Sequence, residues 1–166
     1  MTIETPADQA DLMRQVVATV QHYTDLANKK HGLSMAPFKV EFTNRGRAAG
    51  IAHIGEHRIT FNPKVMRLNP DRFLKRTPGH EVAHFVVHYL YEQRVRSMER
   101  PPPKPKAHGR EWLSVMMSLG ITDNSTRNTY QMTEGKVATP NLVSSRYQSV
   151  HGQVQTMGMG KIVEFD

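Results

Sequence analysis

TPGHEVAHFVVHYL, residues 77–90, carries His80, His84 and His88 at even spacings of four, with Glu81 directly after the first. On a helix, residues i and i+4 share a face about 6 Å apart. Two imidazoles so placed can converge on one metal ion. The adjacent glutamate can take a proton from water at that metal and pass it to a leaving amine. The competing interpretation is a surface helix with two exposed histidines and a solvated glutamate. Thr77 is expected to cap this helix, with Pro78 in its first turn. The helix should run to about Arg94.

His88 lies on the same stripe but is a poor third ligand. It is eight residues from His80, about 12 Å along a helix axis. Zinc ligands must each reach within about 2.0–2.1 Å of one ion, so packing or a supporting hydrogen bond is the expected role. The third ligand must come from elsewhere. Val87 and Leu90 stand where an HExxHxxGxxH continuation would need Gly and His. Glu111 could serve, on a later helix. His108 is the better candidate, because it starts that helix just after a proline-rich loop, and Gly109 beside it permits close backbone approach. Tyr89 and Tyr91 could stabilise an oxyanion if they faced the cleft; Tyr91 is read on another helical face from His84, so packing is expected there. Trp112 is expected to pack behind the histidine helix. Tyr130 is assigned no role.

The chain has 166 residues and no cysteine. Disulfides, thiolate metal sites and cysteine nucleophiles are therefore excluded, and a metal must be held by His, Asp or Glu. No apolar run approaches the roughly 18–20 residues of a spanning helix. The polar start, MTIETPADQADLMRQVV, does not read as a secretory signal. A soluble, cytoplasmic monomer without membrane contact is expected. The formal net charge of +7 favours contact with polyanions, nucleic acid above all.

Along the chain, Leu12, Val16, Val20, Tyr23 and Ala27 form one apolar face over residues 8–31, an amphipathic helix with Thr5 or Asp8 as cap and Gly32 beyond its end. FKVEFT (38–43) alternates as a half-buried strand. RAAGIAHIG (47–55) and HRITFN (57–62) form a hairpin turning near Gly55-Glu56. PKVMRL and PDRFLKR are short helical pieces. Residues 97–107, SMERPPPKPKA, include four prolines within five positions and must be an extended, polyproline-like loop. HGREWLSVMMSLG (108–120) returns to helical period and stops at Gly120. Residues 131–166 form a polar extension of loose strands or partial disorder, following one domain over residues 1–130.

In these segments the chain resembles the SprT-like zinc metallopeptidase family (SprT/Spartan). PGHEVAH matches the family's active-site helix, and AHGREWLSVMMSLGI its H-G-x-x-[FW] segment. RGRAAGIAHIGEHRITFNPKVM resembles its hairpin and following N-P turn. The resemblance covers roughly residues 38–130, in order and spacing. It implies an α+β, zincin-like fold of the minigluzincin type, with a small antiparallel or mixed sheet packed on the N-terminal helix and the HExxH helix. It implies one zinc ion held by His80, His84 and His108, with Glu81 as general base. It also implies a metalloendopeptidase acting on DNA-associated or DNA-crosslinked proteins. In such zincins the sheet's edge strand pairs with an extended substrate; AGIAHI or its hairpin partner is the matching candidate. The chain departs from many relatives in lacking a cysteine-rich zinc ribbon, which fits a viral or mobile-element source.

Between the two histidine motifs lie Arg94, Arg96, Arg100, Lys104, Lys106 and Arg110, against Glu92 and Glu99 only. A return of His108 to the metal would place this basic loop beside the cleft, as a contact for the DNA backbone or as a solvated loop. The rival for the whole chain is a basic DNA-binding protein with a structural zinc site and no proteolytic activity.

Overall fold

The apolar stripe expected on the first helix is present in a computed structural model, which describes residues 6–123, 128–132 and 162–165. Helix α1 spans Pro6–His31, and its Leu12, Val16, Val20 and Ala27 are buried. They face the long helix α3 (Pro70–Ser97). Lys29, Lys30 and His31 occupy the last turn of α1, where positive charge offsets the negative end of the helix dipole. Gly32 then adopts a left-handed φ of 63° that ends the helix. Thr5, one of the two expected caps, lies outside the described residues, as does most of 131–166.

The three expected strands form one mixed sheet. β1 (Lys39–Phe42), β2 (Gly50–His53) and β3 (Arg58–Phe61) are arranged β1-β3-β2. β3 runs parallel to β1 and antiparallel to β2. The β2–β3 hairpin turns through a short 3-10 segment, Ile54–Glu56, and His57 at φ 49°. A non-glycine residue in that region needs support. His57 stacks on Phe38 with centroids 4.2 Å apart, and its Nε2 donates to the Ala36 carbonyl at 2.8 Å. Nδ1 is thereby left to accept from the Tyr89 hydroxyl at 3.1 Å. Tyr89 thus packs against the hairpin turn.

After Asn62, which caps α2 (Pro63–Leu68) by accepting from the Lys64 and Val65 N–H groups, the structure departs from the sequence expectation. PDRFLKR is no separate piece, and Thr77 is no cap. Both belong to α3, a continuous helix of 28 residues with Pro78 inside it. Pro70 supplies the first-turn proline instead. Pro78 forgoes its own helical hydrogen bond and its ring crowds the carbonyl one turn back, yet the burial of Phe73, Arg76, Thr77, Val82, Phe85 and Val86 holds both halves in one rod.

α4 (Arg110–Ser118) buries Trp112, Val115 and Met116, and Gly120 at φ 74° closes it, as expected. β4 (Asn128–Gln131) pairs antiparallel with β5 (Ile162–Phe165), the described part of the polar extension. β4 is fixed to the helices by polar bonds. Asn69 brackets the Gln131 backbone through both side-chain atoms, at 2.9 and 3.0 Å. The fully buried Tyr130 hydroxyl shares a 2.6 Å hydrogen bond with Thr77. Tyr130→Phe should cost about 1–2 kcal/mol, because it removes that partner from a buried hydroxyl. Thermal unfolding should register this as a fall of about 2–4 °C per kcal/mol.

Candidate metal centre

One helix and one loop assemble the site. α3 presents His80 and His84 a turn apart, with ring centroids separated by 4.9 Å. The loop after α3 returns His108 to a centroid distance of 4.9 Å from each. One ligand atom from each histidine lies within 4.8 Å of the other two, and the Nε2 atoms of His80 and His108 are 3.0 Å apart. Donor atoms at about 2.0–2.1 Å in a tetrahedral shell stand roughly 3.3 Å from one another. Small side-chain adjustments suffice to reach that spacing, so the cluster fits a metal ion with an open fourth position. Imidazole donors suit zinc, copper, iron or nickel.

Burial keeps the His80 and His84 imidazoles neutral, as a ligand requires. It holds His80 down to about 2, with the charges of His84, Arg76 and His108 adding to the effect. His84 is held at about 4, first by burial and then by His108. Trp112, fully buried, forms the floor. It meets His80 and His108 edge-on and lies nearly parallel to His84.

Arg76 lies behind the cluster. It is fully buried, and its Nε donates to the Asp123 carbonyl at 2.8 Å. Its Nη1 lies 3.3 Å from His80 Nδ1, which leaves Nε2 facing the other histidines. Sequence reasoning missed Arg76, although its position four residues before His80 is the signal that would have found it.

Glu81 is 5% exposed. Its carboxyl accepts from the Ala52 backbone N–H and packs on Gly50, where an added Cβ would stand 2.8 Å from Oε1. Only glycine leaves room for the carboxyl there. Burial pushes Glu81 up to about 8, against the opposing effects of the Ala52 N–H and the Arg76 charge. The strand order puts β2 at the sheet edge. Asn62 donates to the Ala49 carbonyl at 2.9 Å, so alternation along the ladder directs Ile51 and His53 toward β3. The backbone groups of Gly50 and Ala52 therefore point outward, toward Glu81. AGIAHI, and not its hairpin partner, is the strand beside the cluster.

A cleft of about 520 Å³ opens over the three histidines. β2, α3 and residues 104–108 of the loop bound it. His88 lines this cleft but stands outside the ligand cluster. Tyr91, expected to pack elsewhere, lines it too. Seven residues after His84 is close to two full helical turns, so Tyr91 returns to the same face.

The basic residues of the loop do not act as one set. Lys104 and Lys106 line the cleft. Arg94 and Arg110 line a separate groove with Pro102 and Pro103, which also takes Glu111 and so removes it from the metal cluster. Arg96 lines a third depression, near His57, and Arg100 is exposed.

The model of the SprT-like family matches residues 16–131, well over half of the chain. The chain belongs to the SprT-like family. Among curated relatives of this family, Protein SprT of Shewanella oneidensis is 38% identical over 89 residues, covering 53% of this chain and 50% of the relative. Protein SprT of Pseudomonas fluorescens strain Pf0-1 is 35% identical over 99 residues, covering 58% and 54%. Protein SprT of Pseudomonas aeruginosa strain PAO1 is 39% identical over 80 residues, covering 48% and 42%. The chain spans about half the length of the curated relatives it matches. No solved structure matches it. No described helix is long and apolar enough to cross a membrane.

Proposed function

We propose that this chain is a zinc-dependent metalloendopeptidase with a zincin-like catalytic unit, acting on proteins associated with or crosslinked to DNA. The observation that carries the reading is the convergence of three imidazole nitrogens on a cleft that also holds a buried carboxyl and a sheet edge. His80, His84 and His108 would hold the zinc. Zinc bound there supplies Lewis acidity and lowers the pKa of water at its open position. Glu81 accepts the proton of the attacking water on its carboxylate and returns it to the leaving amine. The Ala52 N–H is held by Glu81, so the outward backbone groups of Gly50 and the Ala52 carbonyl are the ones that pair with an extended peptide and align it along the cleft. Trp112 closes the floor and keeps the histidine rings dry on that side.

DNA association draws its support from the +7 charge and from the groove that Arg94 and Arg110 share. Replacing both with Ala should weaken DNA binding at low salt. It should also make the salt dependence shallower by about one unit for each phosphate left without its cation. Unchanged affinity by anisotropy would remove this groove from the DNA reading.

Metal analysis coupled to proteolysis, with and without DNA, tests the whole. One equivalent of zinc with DNA-stimulated cleavage of the chain itself or of a bound protein is expected. Zinc at one equivalent with no cleavage of any protein favours the rival, a DNA-binding protein with a structural metal. A buried Glu81 lining the same cleft as the three histidines argues for the enzyme, since a structural site needs no base.

A further inference from the structure

Lys104 and Lys106 differ from the other cations around the site. Both are exposed and both line the cleft, and neither has an ion-pair partner among the described residues. The rest of the cleft is poor in charge. β2 and the turn after it contribute Gly50, Ile51, Ala52 and Ile54, and α3 contributes Val87, His88 and Tyr91 beyond the metal cluster. The one acid among the lining residues is Glu81, which is buried. The open part of the cleft is therefore positive, and the metal ion of the proposed enzyme adds to that sign.

Position along the chain sets where this charge acts. Lys106 is two residues before the ligand His108, and Lys104 is two before that. An extended chain advances at most about 3.3–3.6 Å per residue. The Gly109 N–H donates to the Lys106 carbonyl at 3.1 Å, so the chain turns between Lys106 and the ligand; Lys106 is at most about 7 Å from it and Lys104 at most about 14 Å. Both lysines line the cleft over the histidines, so a peptide centred there carries side chains within about four residues of the scissile bond past these two ammonium groups.

Resting on the peptidase reading, we propose that Lys104 and Lys106 form a specificity wall that binds carboxylates of the substrate, selecting segments with Asp or Glu within a few residues of the scissile bond. The same residues disfavour Lys and Arg there. They form part of the peptide cleft, whereas the nucleic-acid surface is on the Arg94 and Arg110 groove. Exposed ion pairs are weak, so each carboxylate should raise kcat/KM by about two- to fivefold at physiological salt. That gain should fade as salt approaches 1 M.

The test uses the zinc-loaded full chain and matched peptides with Glu, Ala or Lys on either side of one cleavable bond. Each peptide is made with a free and with an amidated C-terminus. The order Glu over Ala over Lys is expected, in both terminal forms. The double variants Lys104→Gln/Lys106→Gln and Lys104→Glu/Lys106→Glu should flatten and invert that order. An order unmoved by charge reversal overturns the proposal. So does a preference that vanishes on amidation, which would assign the lysines to a terminal carboxylate, or a charge reversal that changes DNA affinity alone. Binding of the same peptides, fluorescein-labelled, to the zinc-loaded Glu81→Gln variant separates the two readings. Selective binding of acidic peptides by that variant, with no cleavage by the parent, would sink the peptidase and leave the wall standing. Cleavage by the parent without charge preference would sink the wall alone.

Discussion

Glu81→Gln should retain zinc and lose about 10²–10⁴-fold in peptide turnover, the range for removing a positioned general base. The amide fills the same space beside Gly50 and leaves the three imidazoles in place, so metal content by mass spectrometry should match the parent. A second consequence concerns stability. The carboxyl titrates at about 8 in the folded, metal-free chain against an ordinary 4.5. Between those values the folded state holds a proton that the unfolded chain has released, so stability falls as pH rises through that window. Gln has no such proton. Metal-free Glu81→Gln should therefore melt higher than the metal-free parent at pH 8, with the difference shrinking toward pH 4.5. A bound dication favours the ionised carboxylate and should narrow the gap in the zinc-loaded pair. Full peptidase activity in this variant would end the proposed mechanism.

His108→Ala should abolish metal retention more completely than any change outside the cluster. Loss of a mere supporting hydrogen-bond partner weakens metal binding by about 10–100-fold, and loss of one imidazole of three should exceed that in a chelator competition. His88→Ala, which removes a ring on the same stripe but outside the cluster, should leave affinity within that smaller range. The two substitutions together decide whether the third ligand comes from the loop or from the helix. Acid sensitivity follows from the same histidines. His80 and His84 titrate at about 2 and about 4 when folded, both below the ordinary 6.5. Their contribution to stability is complete above pH 6.5 and is lost as pH falls toward those values, because the unfolded chain binds protons that the folded one refuses. Below pH 6.5 this opposes the Glu81 effect. The metal-free Glu81→Gln variant should therefore show a cleaner acid-side fall than the parent.

Much of this arrangement could be read from residue spacing. The i, i+4 rule placed His80 with His84, and helix length kept His88 out. The run of prolines made the segment before His108 a loop that could return. Alternation in FKVEFT and HRITFN marked the sheet. Parallel pairing of β1 with β3 was not visible, because it depends on a crossover that brings together segments separated in the chain. The main misreading came from one residue. Pro78 suggested a helix start, so PDRFLKR was split from the histidine helix, and Arg76 was not placed a turn below His80. Local proline preference lost to tertiary packing, since buried side chains on both sides of Pro78 hold the rod together. Tyr130 was passed over for a related reason. Its hydroxyl finds Thr77 53 positions away, and no local pattern encodes that distance.

The proline run between Ser97 and His108 has a thermodynamic meaning beyond its shape. Closing a flexible loop costs entropy that grows with its length, and the loop joining α3 to the third histidine must be closed whenever the metal is held. Each proline that already matches its native dihedral removes about 0.4–1 kcal/mol of that disorder from the unfolded chain. The four of PPPKP together can supply on the order of 2–4 kcal/mol of preorganisation. Affinity for the ion is then partly written in residues that never touch it. Replacing these prolines with glycines would loosen the grip on the metal while leaving every ligand in the chain.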